Sequence, residues 1–170
     1  MTYFILYLIK TTYNLLKIIN IMNDKMLKFV EIGQQTPPKR EVDKRKGDFN
    51  EIYDEFINDK AKEQSSRCSQ CGVPFCQVHC PLSNNIPDWL KLTAEGRLKE
   101  AYELSQSTNN MPEVCGRICP QDRLCEGNCV IDQLGHGTVT IVSIENYITD
   151  NAWEKGFVKP ISVLNEKNQS

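Results

Sequence analysis

Eight cysteines stand between Cys68 and Cys129, and the rest of the 170-residue chain has none. The first run is Cys68, Cys71, Cys76 and Cys80 with Pro81 next, C-x2-C-x4-C-x3-C-P, and the second is Cys115, Cys119, Cys125 and Cys129, with Pro120 after its second member. Thiols spaced this closely pair as disulfides, close a zinc site or hold an iron–sulfur cluster. Zinc ribbons prefer two C-x2-C pairs separated by a longer insertion, and only Cys68 and Cys71 form such a pair. Disulfides need an oxidising compartment, and no secretory signal supports one. The spacing therefore ranks iron–sulfur ligation first, zinc second and disulfides last.

In the bacterial ferredoxin run, a close analogue of the first one here, closely spaced thiolates wrap one cubane and the last Cys, before Pro, reaches a second cluster. Gly72, Pro74, Gly116 and Gly127 supply turns that let backbone N–H groups face inorganic sulfide. His79 and His136 have no partnered Ser, carboxylate pair or H-x3-H spacing, so neither is read as a ligand. Trp89 and Trp153 read as core. Arg117 and Arg123 lie among the thiolates, where they either tune a cluster or are simply solvated.

Helices must position these thiols. Apolar Phe49, Ile52, Tyr53, Phe56 and Ile57 recur at helical spacing after Asp48, a possible cap, and predict a helix that ends near Ser65. Asn84 or Asn85 before Pro87 predicts a helix start, followed by Trp89, Leu90 and Leu92. Gly96 breaks that pattern, and Leu98, Ala101, Tyr102 and Leu104 resume it. A last helix is predicted from Thr140 to about Trp153, stopped by Gly156. No strand-like alternation of useful length occurs, so the fold class is all-α.

Composition narrows the function. Hydrophobic residues at 40% and charged residues at 25% are globular, and a net charge of −2 leaves no electrostatic footprint for nucleic acid. The run Met1 to Met22 is apolar but is interrupted by Lys10 and Lys17. Its longest uninterrupted stretch, Tyr3 to Ile9, is too short to span a bilayer. Translation is expected to begin at Met22 or Met26, which leaves residues 1–25 as a non-native or flexible extension. Residues 26–47 read as an extended arm, 48–160 as a two-cluster helical domain and 161–170 as a flexible tail. Free thiols imply the cytoplasm.

The segments SSRCSQCGVPFCQVHCPLSNNIPDWL (Ser65–Leu90), NNMPEVCGRICPQDRLCEGNCV (Asn109–Val130) and GTVTIVSIENYITDNAWEKGF (Gly137–Phe157) closely resemble the N-terminal cluster domain of the glutamate synthase small (beta) subunit. A similar domain opens dihydropyrimidine dehydrogenase and related flavin oxidoreductases. The resemblance extends from roughly Met26 to Pro160 and implies an alpha-helical ferredoxin-like domain with two [4Fe–4S] clusters. It also implies crosswise ligation: Cys68, Cys71, Cys76 and Cys129 for one cluster, and Cys80, Cys119 and Cys125 for the other. For the eighth ligand the resemblance nominates Glu145, whereas symmetry between the runs nominates Cys115. Glu145 falls on the stripe Ile141, Ile144, Ile148 and Ala152, where a carboxylate needs a metal or a cation. The bland alternative is a salt bridge from Glu145 to Arg117 or Arg123.

Members of that family continue into dinucleotide-binding domains with a G-x-G-x-x-G fingerprint. This sequence contains none, and Gly135-His136-Gly137 lies in the wrong context. No catalytic residue and no FAD- or NADPH-binding residue is assigned, so glutamate synthesis is not expected of this chain alone. The expectation is an electron-transfer module within an oxidoreductase system, relaying electrons between a flavin/NADPH oxidoreductase and an acceptor. Its partner would be a separate flavoprotein or a glutamate synthase-like large subunit. The alternative is a zinc- or cluster-stabilised interaction module, or a truncated non-catalytic remnant.

Overall fold

Short helices with cysteine loops between them make up residues 26–160, the part of the chain that the computed structural model describes. What the sequence suggests for residues 1–25 and 161–170 lies outside the described residues. In chain order the helices are α1 (Val42–Lys46), α2 (Asn58–Ser65), α3 (Phe75–Val78), α4 (Ile86–Ala94), α5 (Leu98–Gln106), α6 (Pro112–Ile118), α7 (Val130–Gln133) and α8 (Ile141–Glu154). A 3-10 turn at Lys28–Val30 precedes them. The described residues hold no β-strand, only a single antiparallel bridge between Lys39 and Tyr53, so the fold is all-α as the sequence predicts. None of the described helices is long and apolar enough to cross a membrane.

Three helices form where the sequence places them. Asn85 precedes α4 and Pro87 occupies its first turn, where a missing N–H costs nothing. Gly96 takes φ 78°, which only glycine adopts freely, and the chain turns from α4 into α5. The last helix, α8, ends at Glu154; Gly156, just beyond it, takes φ 67°, and the Phe157 N–H then reaches back 2.8 Å to the Ala152 carbonyl. That closure satisfies a carbonyl otherwise orphaned at a helix end.

The buried stripe of α8 comprises Ile141, Ile144, Ile148 and Ala152, none more than 2% exposed. It packs against α2, α4, α5 and α6 and meets Trp89, Leu90, Ala101 and Tyr102 in one core. Trp89 is fully buried, and its indole N–H donates 3.1 Å to Asn84 Oδ1, so the ring is satisfied at both its apolar body and its polar edge.

Two expectations fail. Residues 49–57 are not helical: α2 begins only at Asn58, and Phe49, Ile52, Tyr53 and Ile57 are exposed while Phe56 is buried. Asp48, read as a helix cap, is engaged elsewhere. Its two carboxylate oxygens accept from Arg40 at 3.0 and 2.5 Å, and Oδ1 also accepts from the Asn50 N–H at 2.9 Å, closing a turn. Backbone bonds from Arg40 N to Ile52 O and from Asp54 N to Pro38 O, both 2.9 Å, then hold the segment extended. Trp153, read as core, is 60% exposed because it faces away from the α8 stripe.

The segment expected as an extended arm is fastened over its first half. Leu27 N and Lys28 N donate to the Cys68 and Ser66 carbonyls at 3.1 and 3.0 Å. The buried Gln64 amide bridges Gln35 N (2.9 Å) and Gly33 O (3.2 Å). The start of the first cysteine loop is thus clamped from outside.

The two tryptophans give a direct test of this packing. Trp89→Ala should cost about 3–5 kcal/mol in denaturant unfolding, and Trp153→Ala about 0.5 kcal/mol or less. Equal losses at both positions would contradict the arrangement of α4 and α8.

Candidate metal centre

The first cysteine run leaves α2 through a tight turn in which Cys68 N donates to Ser65 O at 3.1 Å. Gln70 sits at φ 52°, a left-handed conformation uncommon outside glycine. That twist brings two donors to one sulfur: Gln70 N–H lies 3.5 Å and its side-chain amide 3.4 Å from Cys68 Sγ. The same amide is steadied by the Pro87 carbonyl at 2.7 Å. Cys76 rides on α3, and Cys80 follows it in a turn closed by Cys80 N to Gln77 O at 3.1 Å.

The second run is shaped by α6 and a glycine turn. Cys115 lies within α6, and Cys119 is its C-cap, where the chain becomes extended. The Gln121 carbonyl then accepts from both Glu126 N and Gly127 N at 3.0 Å. A Cβ on Gly127 would fall 1.8 Å from the Asp122 carbonyl oxygen, so only glycine fits this turn. Cys129 emerges as the N-cap of α7.

These loops divide the thiols into two groups that cut across the sequence. Cys68, Cys71, Cys76 and Cys129 line one small cavity whose walls include Leu90 and Ile131. Burial pushes the Cys68 thiol up to about 11 and the Cys76 thiol up to about 12, and the neighbouring thiols of this group add to the shift. The Gln70 N–H groups partly oppose it at Cys68. Cys80, Cys115, Cys119 and Cys125 lie outside that cavity. Burial raises Cys119 to about 11, with Cys115, Glu145 and Cys80 contributing. Cys125 is likewise raised by burial, then by Glu126, Glu145 and Cys80.

Glu145 is 7% exposed on the inner side of α8. Burial lifts its carboxyl to about 7, against a hydrogen bond from Asn109 Nδ2 at 3.4 Å, and nearby Glu113 lifts it further. Neither cation proposed from sequence serves it. Arg117 pairs instead with Glu51 and, at 3.1 Å, with Asp150, and it donates to the Asn146 side chain at 3.1 Å. Among the described residues no ion pair joins Glu145 to Arg117 or Arg123. Cys115, the other candidate, is half-buried beside Cys119.

All eight cysteines are free thiols. Among the described residues no group of three or more His, Cys, Asp or Glu is placed to hold a metal ion. A single zinc requires its sulfurs about 2.3 Å from one point; a cubane takes its thiolates at the corners of a cage. Thiols ringing a shared, apolar-walled space suit the cage. His79 stacks on Phe75 and His136 meets the edge of Phe29. A far larger groove, about 1030 Å³, lies between the 36–56 segment and the polar face of α8, and no cysteine lines it.

Four positioning residues escape a reading of the sequence: Arg67, Gln70, Asn109 and Glu126. Glu126 shows why. It sits between Cys125 and Cys129, yet its Oε1 accepts the Val142 N–H at 2.9 Å, capping the first turn of α8, where Thr140 makes no side-chain cap. A negative carboxylate at a helix N-terminus is favourable both as acceptor and against the helix dipole. Through this bond the second cysteine loop holds the helix that carries Glu145. Glu126→Ala should lower unfolding free energy by about 0.5–2 kcal/mol, with Glu126→Gln, which keeps an acceptor oxygen, losing less. If both variants match the parent, the cap carries nothing.

With this geometry in view, comparison with known proteins is informative. The family described as dihydropyrimidine dehydrogenase domain II, 4Fe-4S cluster, matches residues 45–157. The glutamate synthase [NADPH] small chain of Azospirillum brasilense is 68% identical over 138 residues, covering 81% of this chain and 29% of that protein. The protein of the same name from Escherichia coli (strain K12) is 50% identical over 136 residues, covering 80% of this chain and 29% of its own length. The putative oxidoreductase AegA of the same organism is 48% identical over 139 residues, 78% of this chain and 21% of that one. The chain thus spans less than a third of the length of each of these relatives.

Proposed function

The chain belongs to the dihydropyrimidine dehydrogenase domain II, 4Fe–4S cluster family, as an iron–sulfur, electron-transfer domain like that of the glutamate synthase small chain; within that family we propose that it relays single electrons through two clusters. The observation that carries the reading is the crossing of the two cysteine runs, with Cys129 lining the cavity of Cys68, Cys71 and Cys76. Such clusters, when bound, accept and return one electron at a potential set by ligands, charge and exposure.

Cys68, Cys71, Cys76 and Cys129 would hold the first cluster, and Cys80, Cys119, Cys125 and Glu145 the second. Glu145 is preferred to Cys115 because its carboxylate is buried and, among the described residues, has no cation. A buried carboxylate without a counter-charge is costly, and iron would supply that charge. Gln70 directs two N–H groups at the Cys68 sulfur, which favours its thiolate. Asn109 steadies one oxygen of Glu145. The buried side chains of Leu90 and Ile131 wall the first cavity with apolar surface, where charge interactions are stronger than in water.

The electron donor would be a flavin/NADPH oxidoreductase and the acceptor a glutamate synthase-like large subunit, in the cytoplasm, where thiols stay reduced. The relatives named for NADPH and glutamate synthase suggest these partners, and this chain supplies the electron path between them.

Anaerobically prepared protein should contain close to eight iron and eight sulfide per chain and titrate reversibly. Glu145→Ala should alter the spectrum and potential of one cluster and spare the other, while Cys115→Ser changes little. Stoichiometric zinc without sulfide would sink the relay. Loss of about half the iron in Cys115→Ser, with Glu145→Ala silent, would return the second site to four thiolates.

A further inference from the structure

Arg67 immediately precedes the first ligand candidate and is completely buried. Among the described residues its guanidinium makes no ion pair. Instead Nε donates to Ile32 O at 2.9 Å, Nη1 to Thr138 O, and Nη2 to His136 O at 2.7 Å and Gly137 O at 3.0 Å. Every acceptor is a main-chain carbonyl, so hydrogen bonding is satisfied and the positive charge is not neutralised. A guanidinium does not shed its proton in a protein, and burying an uncompensated charge is expensive. The first cysteine site lies next door and would supply the compensating anion as thiolates: Cys68 follows Arg67 in sequence, and the Gly137 and Thr138 carbonyls that Arg67 holds lead into Val139, which lines the same cavity as Cys68 and Cys129.

The second site has the opposite surroundings. Glu126 adjoins Cys125 and is fixed by the Val142 N–H, and Glu145 is 7% exposed; among the described residues neither carboxylate has an ion-pair partner. Among the described residues, Arg117 is engaged with Glu51 and Asp150, away from this group. The first site therefore has a buried cation beside it, and the second has the carboxylate of Glu126.

Resting on the two-cluster reading above, we propose that Arg67 is the built-in counter-charge of the Cys68/Cys71/Cys76/Cys129 site, making it the one that is reduced first and holds the resting electron. Adding an electron adds negative charge, which a fixed cation favours and nearby carboxylates oppose. Arg67 also ties the 32–33 strap to the 136–138 loop, so it positions the site as well as charging it. Gln64 fastens the same strap at Gly33 and Gln35 without any charge and provides the structural control.

The experiment is an anaerobic redox titration followed by electron paramagnetic resonance on the iron-loaded full chain. Signals are assigned by Glu145→Ala, which perturbs the second site. In the parent protein the first electron should enter the cluster that Glu145→Ala leaves unchanged. Arg67→Gln should reduce that cluster's electron affinity about tenfold, about 59 mV for a one-electron couple, and leave the other cluster's midpoint in place. Gln64→Ala should lower thermal stability without moving either midpoint. Entry of the first electron into the Glu145-sensitive cluster would overturn the proposal even if Arg67→Gln cannot hold its iron. An unchanged midpoint in a folded Arg67→Gln would do the same. A parent chain without two cubanes would instead defeat the underlying relay reading, so the two failures are distinguishable.

Discussion

Cys129 belongs by sequence to the second cysteine run, yet it lines the cavity of the first, while Cys80 of the first run does not. This crossing is the constraint on which the rest of the structure depends. Two loops about 50 residues apart must hold one register, because a slip of either would break both groups of thiols together. The helices are too short to enforce that register alone, since isolated helices below about 12–15 residues are marginal in water. Among the described helices only α8, at 14 residues, reaches that range. Register therefore comes from contacts between elements, and iron bound at sites drawn from both runs would convert ligation energy into folding energy.

Buried and half-buried polar groups supply much of that contact. Arg67 gathers carbonyls from the 32 strap and the 136–138 loop, Glu126 caps α8 from within the second cysteine loop, and Asn146 of α8 donates 2.6 Å to the Gly116 carbonyl of α6. A Cβ at Gly116 would lie 2.3 Å from the Asn146 side-chain oxygen, so that close approach needs glycine. Each group would be costly if unpaired, and each partner lies on a different element. Stability and ligand geometry thus rest on the same bonds.

The chemistry was more legible in the sequence than its supports. Cysteine spacing is a local signal, and so are the Asn85–Pro87 start of α4, the Gly96 break, and the apolar stripe of α8 with its Gly156 stop. The buried place of Glu145 followed from helical periodicity alone. Residues 49–57 misled because their apolar spacing is helical, whereas the group that decides their conformation, Arg40 on Asp48, lies eight residues upstream and outside the pattern. Trp153 lies off the buried stripe of its own helix, one position beyond Ala152, and residue type outweighed phase in reading it. Arg67, Asn109 and Glu126 could not be found by spacing, because their partners lie 16 to 71 residues away. Gln70 escaped for another reason: its role depends on a positive φ that nothing about glutamine announces.

The most direct test of the crossing is anomalous diffraction at the iron absorption edge from crystals grown anaerobically with iron in place. The account predicts two separate iron centres, one bounded by Cys68, Cys71, Cys76 and Cys129, the other by Cys80, Cys119, Cys125 and Glu145. Iron confined to a site drawn from one run, with Cys129 among the ligands of Cys119 and Cys125, would contradict it.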